Sequence, residues 1–328
     1  MFDFGRLRRI MEHVDSIKAN TLSSPTVEAV KKPGKPVDSP RTLTQRILYT
    51  SFPICIFGMI ANLLVIWLFC CQIKKTPLTL YFLNMAIANL LIIVCNVYVV
   101  ITYFTSLYPS LMFRRIMQML HISAFDTSFF FITVIAVERY LILKYPLWCN
   151  QHRPKNFSVI MCVILWGLSW IVSFVTYYGC FPRFDISVNT LLNNCKTANI
   201  IEIIVEVFVF LPSMIFSTCT IWNRIHTRQP QTPVARLDVT IVGLVLLFLI
   251  INAPIRITQV ITTWAFYIDR FVLGKISLLL DSVNSAGNPF VYIIVGCRKS
   301  QKAILFLERA LSDGKNTTEK IRANEADA

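Results

Sequence analysis

"ITVIAVERYLILKYPLWCNQHRP", Ile132 to Pro154, runs from an apolar stretch into an adjacent Glu138-Arg139 pair and then into a basic, proline-punctuated segment. Two strong charges at the edge of a membrane-like run are costly unless water or a function holds them there. Working outward, the chain is apolar in blocks rather than in amphipathic stripes. No Asp, Glu, Lys or Arg occurs between Arg46 and Lys74, between Lys75 and Arg114, or between Lys155 and Arg183. Each gap exceeds the roughly 20 residues that a helix needs to cross a bilayer core.

The composition agrees. Over 328 residues the chain is 55% hydrophobic and 15% charged, with mean hydropathy +0.58. A soluble domain carries about 25% charged residues. Lipid leaves an isolated segment no way but a helix to satisfy its backbone, so seven spans are expected at 46–72, 78–103, 115–143, 157–179, 198–222, 237–266 and 272–296. Blocks three, five, six and seven are interrupted by Asp126, by Glu202 and Glu206, by Arg256, and by Asp281. The predicted fold class is an all-α membrane protein, a seven-helix transmembrane bundle.

Several function classes receive no support. Glycine is scarce, and GxxxxGK[ST], GxGxxG and GxSxG are absent, as are CxxC and HExxH. The four histidines (His13, His121, His152, His226) are scattered. The expectation is therefore a non-enzyme with no cofactor and no metal. The net charge of +14 sits largely in tails and short loops, which on a membrane protein points to anionic lipid headgroups and not to nucleic acid. A channel or transporter would call for repeat symmetry or a polar stripe across the membrane, and the sequence has neither.

Seven spans place the tails on opposite sides. Lys74, Lys75, Lys144, Arg153, Lys155, Arg224, Arg228, Arg236, Arg298, Lys299 and Lys302 fall on one side; Arg114, Arg115, Arg183, Lys196 and Arg270 fall on the other. The positive-inside bias predicts an extracellular amino terminus and a cytoplasmic carboxyl terminus. Residues 1–45 are a polar tail without a signal-peptide core, 46–296 the membrane domain, and 312–328 a cytoplasmic tail. Between the last two, "CRKSQKAILFLERAL" (297–311) sets Ile304, Leu305, Leu307 and Leu311 near one face, the pattern of a short amphipathic eighth helix on the inner leaflet. Cys297 beside it is a candidate for palmitoylation. Of the ten cysteines, only Cys180 and Cys195 fall at the outer ends of spans, four and five, either bridged or as free thiols.

Glu138-Arg139-Tyr140 at the inner end of span three and Asn288-Pro289-Phe290-Val291-Tyr292 in span seven resemble a rhodopsin-type G protein-coupled receptor. Asn62, Trp166, Pro212 and Pro254 are supporting landmarks in spans one, four, five and six; span two has Asn89 where the class usually has Asp. A narrower resemblance, to Mas and the Mas-related receptors, rests on "VERYLILKYPLWCNQHRPKNFSVIMCVILWGLSW", "VNSAGNPFVYIIVG" and "LERALSD". Span three also lacks a Cys at its outer start, and Asn252 stands two residues before Pro254 where most of the class has Trp.

The resemblance implies roles. Arg139 would pair with Glu138 at rest and contact a heterotrimeric G protein when active, with Tyr140 beside it. Asn288, Pro289 and Tyr292 would form a switch, since Pro breaks the helical ladder. Asn62, Asn89 and Asn288 would share a buried polar network, with Asn89 removing the charge that holds sodium in the class. Cys180 and Cys195 would be bridged, closing about 15 residues at a stabilisation of roughly 3 kcal/mol. An extracellular ligand, expected to be a peptide, would enter between spans three, five, six and seven, where His121, Asp126, Glu202, Glu206, Arg256, Trp264 and Lys275 are the polar candidates.

Glu202 and Glu206 are spaced to share one helix face. They either face a cationic ligand or turn to headgroups, Lys196 or Arg256. The acids that some cationic-ligand members carry near the bridge are replaced here by Thr176 and Asn199. Arg256 and Lys275 would equally suit a ligand carboxylate, such as a peptide's C-terminus; Mas, one of the receptors it resembles, is associated with angiotensin fragments. A receptor-like chain that does not signal, acting as a heteromer partner, is the alternative function.

Overall fold

A computed structural model of the chain describes residues 40–71, 76–105, 109–147, 154, 156–180, 197–198, 200–227, 236–264 and 270–296; the side chains of 40, 41, 180, 255, 259–264, 270, 271 and 296 are outside that description. Seven helices among these residues are long and apolar enough to cross a membrane. They are α1 (Pro40–Cys71), α2 (Pro77–Phe104), α3 (Leu111–Lys144), α4 (Phe157–Cys180), α5 (Ile200–Thr227), α6 (Arg236–Trp264) and α7 (Arg270–Gly296). The described residues contain no strand.

The bounds correct the expected spans at several ends. Among the described residues α1 is helical from Pro40, ahead of the expected span start at 46. α2 starts on a capping box: Thr76 Oγ1 accepts from Thr79 N at 3.2 Å and Thr79 Oγ1 accepts from Thr76 N at 2.7 Å, with Pro77 as the first helical residue. Ser110 caps α3 through Phe113 N at 3.3 Å, which draws the helix start four residues ahead of the expected 115. Helix α5 runs to Thr227, where 222 was expected, and α6 is described as far as Trp264. The eighth helix, Cys195, Cys297 and the Cys180 side chain lie outside the described residues.

α3 is the axis of the bundle and packs against α2, α4, α5 and α6. In its most apolar 18-residue window 72% of residues are buried, against 11% for α5. Phe57, Ile60, Phe208, Ile250 and Ile294 stand outward on other helices. An apolar exterior around a polar centre is the arrangement a bilayer selects. The α1–α7 seam is tight: a Cβ on Gly58 would come within 2.7 Å of Ala286 Cβ and 2.9 Å of Ile93 Cδ1.

α5 is not α-helical throughout. Ile204–Phe210 forms a π-helical segment, in which Leu211 N–H reaches back to Glu206 O. Pro212 follows, and its ring and missing N–H oppose a regular bond to the carbonyl four residues back. Widening the preceding turn resolves the conflict, and such bulges recur where side chains are re-aimed at a site.

Candidate functional site

Two polar regions lie along α3, thirteen residues or roughly 20 Å apart at the helical rise. The first is at its Arg139 end. Arg139 Nε donates to Asp238 Oδ1 at 2.6 Å, and both side chains are 3% exposed. Asp238 lies in the first turn of α6, where the helix dipole favours an acid. The bond therefore ties the carboxyl end of α3 to the amino end of α6. Glu138 is also buried there. Tyr140 packs edge-on to Phe216 of α5, with ring centroids 5.5 Å apart, and Arg224 Nη1 donates to Leu143 O at 2.9 Å.

α7 approaches the same end. Tyr292 is 2% exposed and sits edge-on to Phe82 of α2 at 5.8 Å and to Phe69 of α1 at 6.5 Å. Asn288 and Pro289 are buried one turn above it. Asn62 donates to Gly58 O at 2.9 Å and to Ser285 O at 3.0 Å, pinning α1 to α7. Asn89 Oδ1 accepts from Ser128 at 2.8 Å. Among the described residues no hydrogen bond joins one of the amides Asn62, Asn89 and Asn288 to another. Around them Asn89 Nδ2, both amide atoms of Asn252, Asn284 Oδ1, Ser285 Oγ and Asn288 Oδ1 are buried without a hydrogen-bond partner.

The second region is a cavity of about 220 Å³ between α3, α5 and α6. Glu202, Glu206, Arg256, Phe125, Phe129 and Phe248 are among its lining residues. Asp126 of α3 joins the two glutamates: one carboxylate oxygen from each of the three lies within 4.8 Å of the others. α4 holds two of them from behind, Ser173 Oγ donating to Asp126 Oδ2 at 2.9 Å and Thr176 Oγ1 to Glu202 Oε2 at 3.3 Å.

Across the cavity, Arg256 Cζ lies 3.5 Å from the centroid of the Phe125 ring, and Arg256 Nη2 is 3.4 Å from Asp281 Oδ2 of α7. Ser277 Oγ donates to the same oxygen at 3.3 Å, and His121 Nε2 is 3.8 Å from it. Part of the cavity wall is aromatic: Phe129 stacks on Phe248 at 4.8 Å, and Phe125 is 6.2 Å from Phe248.

The structure thus brings Asp126, Glu202 and Glu206 together, and His121 and Arg256 together through Asp281. Lys275 is half-buried on α7 and does not line the cavity. The Trp264 side chain lies outside the described residues. Glu202 and Glu206 line the cavity together with Arg256. Asp238 escaped the sequence reading, because a lone acid two residues after Arg236 looks like a solvated helix start. Its signal was position: the one acid near the amino end of span six. Asp281 registered only as an interruption, Ser173 as an ordinary span residue, and Thr176 only as standing where some similar receptors carry an acid.

The pattern of the 7 transmembrane receptor (rhodopsin family) matches residues 61–292. The chain belongs to that family, so it is a multi-pass plasma-membrane receptor and not an enzyme. Within the family it resembles the Mas group. It is 28% identical to human Proto-oncogene Mas over 248 residues, covering 75% of each chain. It is 28% identical to mouse Mas-related G-protein coupled receptor member A8 over 283 residues, 82% of this chain and 90% of that one. Human Mas-related G-protein coupled receptor member X1 is likewise 28% identical, over 81% of this chain and 83% of its own length.

Proposed function

We propose that this receptor senses an extracellular ligand bearing a cationic group, a basic peptide by expectation, and activates a heterotrimeric G protein through its Arg139 end. The cavity then faces outward and the amino terminus is extracellular, as the Lys/Arg bias of the short loops favours. The observation that carries the reading is the buried Arg139–Asp238 bond between α3 and α6. A charge pair at 3% exposure is stable only while both partners stay together, because separating them strands a desolvated charge. That is a two-position element, and a switch needs one.

Coupling follows from α6, which carries Asp238 at one end and Phe248 and Arg256 further along. A cationic group drawn to Asp126, Glu202 and Glu206 sits above the Phe125–Phe248–Phe129 stack. Its binding shifts the population only by its differential affinity for the two arrangements of α6. When α6 moves away, Arg139 is released toward the G protein. Asn288, Pro289 and Tyr292 act as the α7 part of the switch, and Asn62, Asn89 and Asn288 as polar groups of the core.

A panel of basic peptides and angiotensin fragments, read out by G-protein dissociation, tests this. Basic peptides should activate the wild type; Glu202→Gln/Glu206→Gln should lose the response, and Arg139→Ala should lose coupling while retaining peptide binding. Activation by acidic C-termini that depends on Arg256, tested by Arg256→Gln, would reverse the assigned ligand charge. Full signalling by Arg139→Ala would remove the proposed role of that residue.

A further inference from the structure

The cavity between α3, α5 and α6 has a side opening as well as a floor. Phe208 of α5 and Ile257 of α6 line it and are 70% and 47% exposed, while Phe129 and Phe248 line it from within at 3% and 6%. Phe208 and Ile257 belong to membrane spans, so the surroundings they face are lipid. The cavity therefore leads from the lipid-facing seam of α5 and α6 into the core. α5 is the least buried of the seven spans, and Val207 and Phe208 stand on its π-helical segment.

The lining is graded along the membrane normal. Apart from Glu202, Glu206 and Arg256, every lining residue is apolar. Glu202 is the third residue of the α5 span, and Leu211, nine residues on, lies roughly 13 Å deeper at the helical rise. On α6, Phe248 lies eight residues, or roughly 12 Å, from Arg256 toward the Arg139 end. Charge near the membrane surface with hydrocarbon beneath it is the order of a lipid standing in its leaflet. At about 220 Å³ the cavity is smaller than the roughly 300–1,000 Å³ of pockets that enclose a drug-sized ligand. It takes a single chain and leaves a headgroup at its mouth. Water finds too few polar partners among the deeper residues, and an apolar wall with nothing against it forfeits its dispersion contacts.

Lipid tails are as apolar as this wall, so a chain gains little by moving in from the bilayer. Preference has to come from the head. Arg256 stands among acids, with Asp281 at 3.4 Å and both glutamates close enough to attract it. An anionic lipid would bring net negative charge to those acids. A zwitterionic one brings an ammonium for Glu202 and Glu206 and a phosphate for the guanidinium, both charge-assisted contacts. We propose that the cavity holds one acyl chain of a zwitterionic phospholipid, which enters between α5 and α6 with its headgroup at Glu202, Glu206 and Arg256. The leaflet is the one at the Glu202 end, the outer one in the orientation proposed above. A ligand drawn to the same glutamates competes with that headgroup.

The test places the full chain in nanodiscs of phosphatidylcholine containing a small share of phosphatidylcholine with a photoactivatable diazirine in its acyl chain. Adducts are mapped by mass spectrometry. Phe129 and Phe248 should be labelled, residues that lipid coating the outside of the bundle does not reach. Ile294 of α7, outward at 74% exposure, is the control for that coating. Ala253→Phe, which fills the cavity from α6, should lose the Phe129 and Phe248 adducts and keep the Ile294 adduct. Phosphatidylglycerol with the same labelled chain should give about threefold less interior labelling, the scale of partly exposed charge pairs. Wild-type labelling confined to outward residues overturns the proposal whether or not the variant folds. Equal interior labelling by phosphatidylglycerol overturns the zwitterionic assignment, and loss of interior labelling on adding cholesterol gives the cavity to a sterol instead. No agonist or G protein enters the measurement, so its failure leaves the reading of a cationic-ligand receptor standing, and the loss of that reading leaves the lipid result intact.

Discussion

Arg139 and Arg256 both reach across the bundle to an acid on another helix, but in different settings. Arg139 has Asp238 at 2.6 Å with both side chains 3% exposed, and Glu138 is buried beside it. Arg256 has Asp281 at 3.4 Å and an aromatic face at 3.5 Å, and it lines a cavity with Glu202 and Glu206. One is a close, fully buried pair between two helices; the other stands in a cavity beside two acids. The difference separates a latch from a receptor pocket: a latch is stable when nothing is bound, while a pocket keeps polar groups for a ligand to meet.

Breaking the latch has the largest expected effect. Asp238→Ala removes the acid that joins Arg139 to α6, and removing one partner of a buried pair costs about 3–5 kcal/mol. Thermal melting should fall accordingly, and basal nucleotide exchange on the G protein should rise without agonist. A variant that melts earlier but shows unchanged basal exchange would make the pair structural only.

Gly58→Val separates those two readouts. Its side chain would collide with Ala286 Cβ, whose position is fixed by the α7 backbone, at the 2.7 Å approach of α1 and α7. Overpacking of this kind costs about 1–3 kcal/mol. The seam touches neither charged end, so melting should fall while basal exchange stays at the wild-type level per folded receptor. If this variant also signals without ligand, instability alone explains the Asp238→Ala effect.

At the cavity end the same kind of change should have the opposite sign. Glu206→Gln removes one of three crowded carboxylates, so melting should hold or rise while affinity for a basic peptide falls about tenfold, or roughly 1.4 kcal/mol. Function held at the expense of stability is the expected mark of a binding site. A fall in melting with unchanged peptide affinity would show that the trio is a structural network.

What the sequence disclosed follows the same division. The seven spans were legible because lipid imposes a simple rule, a charge-free run long enough to cross, while helix ends moved by several residues, as at the start of α3, where Ser110 offers a cap, and at the end of α5. Arg139, Asn288 and Tyr292 stood out as motif residues. The pairings did not. Arg139 and Asp238 are 99 positions apart, and no local spacing joins them. Glu202 and Glu206 could be placed on one face, but which way that face turns depends on the π-helical segment between Ile204 and Phe210, a backbone choice that residue periodicity does not encode. The convergence with Asp126 was hidden for that reason.

Asn252 connects the two ends and gives the smallest prediction. It lies on α6 fourteen residues after Asp238 and four before Arg256, is 1% exposed, and has neither its amide oxygen nor its nitrogen bonded among the described residues. An unsatisfied buried polar group costs about 1–3 kcal/mol, and an apolar replacement of similar shape removes the cost. Asn252→Leu should therefore stabilise this arrangement by about 1 kcal/mol and raise the melting temperature. The consequence for signalling discriminates further. If the amide finds partners when α6 moves, the variant stabilises only the resting arrangement; basal exchange drops and more peptide is needed for half-maximal activation. If Asn252 is unsatisfied in both arrangements, melting rises and signalling does not change. The first outcome would make Asn252 the bias between a closed latch and an occupied pocket, tying the charge balance at one end of α6 to the salt bridge at the other.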